Sequence, residues 1–331
     1  MKAINIAPDP NRILPFYLAA EEWVARSLPR GEYFFAWQVK PTVICGRHQL
    51  MQREVVMAYC ARKGIAVWRR KSGGGCVYAD NNNVMFSYIT HSDAVQDCFD
   101  RYTDAVAGML VSLGIDARPG GRNDVEIDGR KVAGNAYYSL PGRSIVHGTM
   151  LYDADTDTMS HALTPSRAKL LNRGVKSVPS RITTLRSHGL TMTCSAFVDY
   201  AMRYLCRDGS IDIGPEQESE ILAIMQTYLS TDFYNDKICA GKNGVSIPSK
   251  GEFFVSLTVD ADDIIRACLI NGDFMTAGDV STLVTAALAG THLDCNCVAK
   301  AVSDLPSDLF PGLDKHTLTE LILNATINKI P

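Results

Sequence analysis

The chain has 331 residues, 46% of them hydrophobic and 21% charged, with a formal charge of −3. That composition excludes a disordered polymer and supplies no general electrostatic reason to bind nucleic acid, so any anion must be held by a local cluster. No run approaches the roughly 18 apolar residues of a membrane span, and MKAINIAPDPNRIL has neither secretory nor transit character; a cytoplasmic protein without a membrane partner is expected.

The first segments read as a helix and two strands: LPFYLAAEEWVARSL sets Tyr17, Ala20, Val24 and Leu28 at helical spacing, and GEYFFAWQ and TVICG follow as β segments. REVVMAYCARKG predicts a helix closed by Gly64, and IAVWRR a strand leading into RRKSGGGCVYAD. Because CVYA and VMFSYIT are again β-like, the triple glycine joins two strands, unlike a nucleotide P-loop, whose glycines open a helix. A long helix is expected from Asp93 to about Leu113, and then three strands with turns at DGR and PGR within DVEIDGRKVAGNAYYSLPGRSIVHGTMLYDAD. Further helices are expected near residues 166 to 172, 191 to 206 and 215 to 229. CAGKNGVSIPSKG has no periodicity and places a boundary near 245 to 250. Beyond it come two strands and apolar-periodic segments near 278 to 289, 294 to 303 and 315 to 326. The expected architecture is α+β: a large domain, residues 1–246, with a mixed or antiparallel sheet flanked by helices, and a small α/β accessory domain, residues 247–331.

The ten cysteines are spread through apolar runs and read as reduced core thiols. The close pair Cys295 and Cys297 lacks the further ligands zinc requires.

Three patches could carry chemistry. In RRKSGGG, the backbone N–H groups of Gly73 to Gly75 with the Arg70 guanidinium would cradle a carboxylate or phosphate; the alternative is a solvated strand end with a hairpin. In GRNDVEIDGRKVAGNA, Lys131 precedes small residues that let a ligand lie against the strand and could reach an α-phosphate, while Asp124 beside Asn123 is a candidate magnesium ligand; the alternative is a hairpin with a surface lysine. In IVHGTML, His147, Gly148 and Thr149 read as a pocket wall in which glycine lets a ligand approach, and no nearby acid or thiol argues for a nucleophile triad.

Together these patches resemble the lipoate–protein ligase family of the wider biotin/lipoate ligase group. The likeness runs from about Trp37 to Leu185 and includes PTVICGRHQ, RRKSGGGCVYAD, GRNDVEIDGRKVAGNAYY, HGTMLYDAD and VKSVPSRITTLRS. It implies a two-step reaction: lipoate and MgATP give lipoyl-adenylate and pyrophosphate, then a lysine of an apo lipoyl domain takes the acyl group. It also implies the roles of individual residues. Lys131 would bridge carboxyl and α-phosphate oxygens. Arg70 would contact the nucleotide or lipoyl carboxyl region, and Gly75, Cys76, Val77 and Tyr78 would line the adenylate, with Asn83, Asn123 and Asp124 on the nucleotide and metal side. Trp37, Ser72, Gly73, Gly74, Ala136, His147, Gly148 and Thr149 would join Arg70, Gly75 and Lys131 around lipoate. The acceptors implied are apo lipoyl domains of 2-oxoacid dehydrogenase acyltransferase subunits and the glycine-cleavage H protein.

The family's histidine and glycine after the GGG strand are replaced here, where the sequence reads Ala79, Asp80, Asn81, Asn82, Asn83. With Asp80 and Asn83 retained, the loop is expected to keep its hydrogen bonds and change its turn. Two alternatives compete with the ligase: a carrier-to-carrier octanoyl or lipoyl transferase working through a cysteine thioester, and a lipoate-binding module without catalysis.

Overall fold

The computed structural model describes residues 1–92, 94–121, 123–164, 181–234, 245–247, 251–276, 280–306, 309–310 and 313–330. Its N-terminal strands are β1 (Lys2–Asn5), β2 (Glu32–Trp37), β3 (Thr42–Cys45), β4 (Ala66–Arg69), β5 (Val77–Ala79) and β6 (Asn83–Thr90). They are followed by β7 (Ala117–Gly120), β8 (Asp124–Ile127), β9 (Arg130–Leu140), β10 (Arg143–Leu151) and β11 (Ser210–Asp212). The main sheet has the order β11-β1-β2-β6-β10-β9-β8-β7, and β4-β3-β5 form a small separate sheet. Pairing from β2 through β7 is antiparallel, whereas β1 lies parallel to β2 and β11. This is the mixed sheet expected, and helices flank it.

Strand alternation divides the side chains between two cores. One face buries Phe34, Val84, Phe86, Val146 and Val125 beneath the helix Val95–Val111 and the helix Cys194–Leu205. The other gathers Phe35, Trp37, Met85, Ile145 and Tyr138 under helix α1 (Leu14–Ser27). α1 is buried almost all round because the helix Pro215–Leu229 packs on its outer side. Two acids, Glu21 and Glu22, are buried within it.

One irregularity governs the second face. Asp124 pairs with Gly134 and Val125 with Ala133, but Glu126 pairs with Lys131, so Val132 is an extra residue in β9. A regular strand would put Lys131 on the side of Ala133; the bulge moves it to the side of Gly134.

The C-terminal sheet begins at β12 (Val245–Ile247), which pairs with β13 (Gly251–Val259), beside β14 (Ile265–Gly272) and β15 (Thr326–Lys329). It has its own apolar core with the helices Val280–Leu288, Cys295–Ser303 and Lys315–Leu323. β12 straddles the expected boundary at residue 246, so this unit recruits a strand from the presumed linker. It also touches the glycine loop and the segment after β3: the Gly74 N–H donates to the Phe274 carbonyl at 2.8 Å, and the Gly272 N–H to that of His48 at 2.8 Å.

Some expectations differ from what is observed. The helix read in REVVMAYCARKG is interrupted, because Val55 and Val56 pair with the chain at 162 and 163 between the helices Met51–Glu54 and Met57–Lys63. Gly64 closes the second of these in the left-handed conformation, as expected. β7 was hidden by its own sequence, ARPG, since proline is tolerated at a sheet edge but gives no strand signal. The helix expected near 166 to 172 lies outside the described residues. No helix among the described residues is long and apolar enough to cross a membrane.

Candidate active site

The site is built on the α1 side of the main sheet. In register, Ala136 of β9 lies opposite His147 of β10, and Gly134 opposite Thr149. Ser87 of β6 faces His147 across the next pair, and Phe35 of β2 faces Ser87. Directly opposed residues share a face, so Ala136, His147, Thr149 and Gly134 form one patch. The bulge adds Lys131, whose extended side chain lies along Gly134; a Cβ built on Gly134 would be 2.0 Å from Lys131 Nζ. Gly148 has the other orientation. Its missing Cβ makes room for the Asn135 side chain on the opposite face, so the expected ligand approach at Gly148 is corrected: Gly134 is the residue that opens this face.

The ammonium of Lys131 is held by Asp124 at 2.8 Å, and Asp124 also receives Arg181 Nη2 at 2.7 Å. The Arg181–Thr183 segment reaches this place by pairing with β9, donating from Thr183 N to the Lys131 carbonyl and accepting from Lys131 N. Sequence reasoning gave Arg181 no role. Asp124 is buried and faces two cations, and no group of three or more His, Cys, Asp or Glu side chains among the described residues is placed to hold a metal ion. Both Asp124 oxygens are taken by cations here, so a magnesium ion would have to share that carboxylate with Lys131 and Arg181. Asn123 and Asn135 donate reciprocally to each other's carbonyls, which locks the β8–β9 junction.

The glycine loop enters from the small sheet. Arg70 is buried, and its guanidinium faces the loop instead of open space. Nε donates to Ser72 Oγ (2.8 Å), Nη1 to the Ile44 carbonyl (2.9 Å), and Nη2 to those of Gly73 (2.6 Å) and Gly75 (2.9 Å). Burial lowers its pKa. The guanidinium thus clamps four oxygens of the chain itself. Gly74 has φ +83°, and a Cβ on Gly73 would be 2.4 Å from the Phe274 carbonyl oxygen, so both glycines are required by the fold; around Gly75 such an atom would meet open space.

Ser72 links this loop to the main sheet. Its Oγ lies 2.7 Å from His147 Nε2, and His147 Nδ1 lies 2.8 Å from Glu21 Oε2. Ser87 donates to Glu21 at 2.6 Å and accepts from Trp37 Nε1 at 2.8 Å, and Trp37 stacks on Tyr17 at 4.7 Å. His147 thus has the acidic partner that the sequence did not reveal. Nearby, Lys71 meets Glu22 and lies over the Tyr228 ring at 4.8 Å. Burial acts to raise the Glu22 pKa, but Lys71 and Arg26 outweigh it and hold the carboxyl below its usual range.

Around the adenylate segment, Val77 and Tyr78 belong to β5, and Cys76 Sγ sits 3.2 Å from Cys45 Sγ. Burial, followed by this neighbouring thiol, raises the Cys76 pKa well above the ordinary value. Cys194 and Cys206 are pushed up to about 11, chiefly by burial. These are poor surroundings for a thioester-forming thiolate. The replaced loop keeps its hydrogen bonding: Asp80 accepts from Asn82 N and Asp155 N, and Asn83 donates to the Tyr78 carbonyl at 3.0 Å.

Comparison with known proteins shows the family of the chain. The family model described as lipoyl protein ligase A/B catalytic domain matches residues 15–206. Lipoate-protein ligase LplJ of Bacillus subtilis is 31% identical over 317 residues, spanning 92% of this chain and 95% of its own. A bi-partite lipoate protein ligase of Thermoplasma acidophilum, solved in a study of that ligase and its E2 lipoyl domain, superimposes with TM-score 0.61 at 26% identity, over 70% of this chain and 95% of its own. P. falciparum LipL1, solved with lipoate, shares the fold over 92% of this chain and 94% of its own, with TM-score 0.75 at 16% identity.

Proposed function

The chain belongs to the lipoyl protein ligase A/B catalytic domain family, and from that premise we propose that it is an ATP-dependent lipoate–protein ligase. In the first step the lipoate carboxylate attacks the α-phosphorus of ATP, the bond to the β-phosphate oxygen breaks, and lipoyl-AMP and pyrophosphate result. In the second, the ε-amine of a lysine on an apo lipoyl domain attacks the acyl carbonyl, AMP leaves, and an amide forms.

The observation that carries this reading is the position of Lys131 on the same sheet face as Ala136, His147 and Thr149, the face to which Ser72 ties the glycine loop through His147. Two anions approaching one another repel, and a positive charge fixed between carboxylate and α-phosphate oxygens reduces that barrier as the bond forms. Asp124 and Arg181 aim the ammonium without drawing it into the core. The loop around Gly75 offers backbone at the one glycine of the three where a Cβ would meet no neighbour. Trp37, Met85 and Ile145 on the same face provide apolar surface for an aliphatic chain. A divalent ion would enter with the nucleotide phosphates.

The supporting experiment incubates the protein with lipoate, ATP and labelled pyrophosphate, then adds apo lipoyl domains of an acyltransferase subunit or an H protein and measures their masses. Lipoate-dependent label exchange into ATP and a lipoyl mass increment are expected, and Lys131→Ala should abolish both. No exchange by the wild type would eliminate the ligase reading, and normal exchange by Lys131→Ala would contradict the role of that residue. The thioester transferase is disfavoured by the raised thiol pKa values of Cys76, Cys194 and Cys206.

A further inference from the structure

We propose that Glu21, His147 and Ser72 form a positioning chain that fixes one histidine tautomer and thereby aims the Ser72 hydroxyl, setting the glycine loop for carboxyl activation. The inference rests on the ligase activity proposed above and adds Glu21 to the residues on which that step depends.

Hydrogen-bond direction through the chain is determined from its ends. The Arg70 Nε–H can only donate, so Ser72 Oγ accepts from it at 2.8 Å. Ser72 is fully buried, and its own proton needs an acceptor. Among the described residues, that acceptor is His147 Nε2 at 2.7 Å. If Nε2 carried a proton, the hydroxyl would lie between two donors with its hydrogen buried and unmatched, which costs roughly 1–3 kcal/mol. Nε2 is therefore bare, and the proton of the neutral ring resides on Nδ1, donated to Glu21 at 2.8 Å.

Glu21 enforces that choice because both its oxygens face Nδ1, Oε2 at 2.8 Å and Oε1 at 3.0 Å, and a carboxylate can only accept. The Ser87 hydroxyl accepts from the Trp37 indole and so directs its proton to Glu21 Oε1 at 2.6 Å. Every contact made by the carboxylate is one in which it accepts. The remaining surroundings of His147 are Ala136 and the Tyr138 ring on β9, with Arg70 behind Ser72 and the Lys71–Glu22 pair farther along α1 and the loop.

Replacing Glu21 with glutamine preserves shape but supplies one acceptor and one donor. With its oxygen held by Ser87 in the Oε1 position, the amide N–H takes the Oε2 position, the nearer of the two to Nδ1, which moves the ring proton to Nε2 and reverses the chain toward Ser72. A wrong tautomer in an intact geometry is known to disable a carboxylate–histidine–hydroxyl array.

The test combines nitrogen NMR of the His147 ring with kinetics of lipoate-dependent ATP–pyrophosphate exchange. The wild type at neutral pH should show a neutral ring protonated on Nδ1. In Glu21→Gln the proton should appear on Nε2, and exchange kcat should fall roughly 10- to 100-fold, the range for losing a hydrogen bond to a charged group. KM for lipoate should change by a smaller factor, and Glu21→Asp, which keeps the charge, should retain the Nδ1–H form and recover part of the rate. An Nε2–H or doubly protonated ring in the wild type overturns the proposal without any variant. So does Glu21→Gln with wild-type exchange and spectrum. A wild type that never exchanges pyrophosphate with lipoate refutes the ligase reading instead, while the spectrum still decides the chain.

Discussion

The ammonium of Lys131 occupies the space that a side chain on Gly134 would need. A Cβ there would lie 2.0 Å from Nζ and 2.1 Å from Cε. Gly134→Ala should therefore displace Lys131 while leaving the apolar cores of the sheet unchanged. Because a misplacement near 1 Å can lower a rate by about 10²-fold, we expect adenylation to fall by that order with melting temperature little altered. Pyrophosphate exchange measured beside a thermal melt checks this; wild-type exchange would show that the lysine has another productive position.

Arg70 holds the loop by its carbonyls, and a lysine cannot reproduce contacts to Ser72 Oγ and the carbonyls of Ile44, Gly73 and Gly75 at once. Arg70→Lys should cost on the order of 3 kcal/mol, since buried acceptors lose their partners. Urea unfolding measures it. A variant as stable as the wild type would mean that the loop finds other donors.

The Glu22 carboxyl is held below its usual range against an opposing burial effect. Its contribution to stability is therefore fully present above the ordinary carboxylate pKa, about 4.3, and is lost as pH falls through the lowered folded value. Glu22→Gln should be less stable than the wild type at pH 7, and the gap should narrow under acid. Urea midpoints between pH 7 and pH 3 test this, and a gap independent of pH would refute it.

Gly73 faces the Phe274 carbonyl so closely that Gly73→Ala cannot keep that contact, a Cβ there being 2.4 Å from the oxygen. The amides of Gly74 and Gly272, which join the C-terminal unit to the loop and to the segment after β3, should exchange hydrogen faster in this variant. Unchanged protection at both amides would show that the loop accommodates the methyl group by itself.

The strands around Lys131 and His147 were legible because alternating apolar residues and the turns DGR and PGR mark them locally. The Lys131 contacts were partly legible: RKVAG announces small residues beside a cation, but not the bulge that decides which face receives it. Glu21 was hidden, since its partner His147 is 126 residues away, and an acid in LAAEEWVA carries no local sign of being buried. The Arg70 clamp was hidden for a different reason. An arginine beside glycines looks the same whether it faces a ligand or the loop's own oxygens, and only the tertiary placement of Ile44 and Ser72 separates the two.

The extra residue Val132 makes the chemistry of this sheet depend on counting. If β9 kept Val132 in a regular, unbulged register, parity alone would carry the cation through the sheet into the aromatic core beneath the helix Val95–Val111. The reacting side would then keep its apolar walls and its loop but have lost its charge. Taking up that one extra residue as a bulge thus determines which face of the sheet receives the charge.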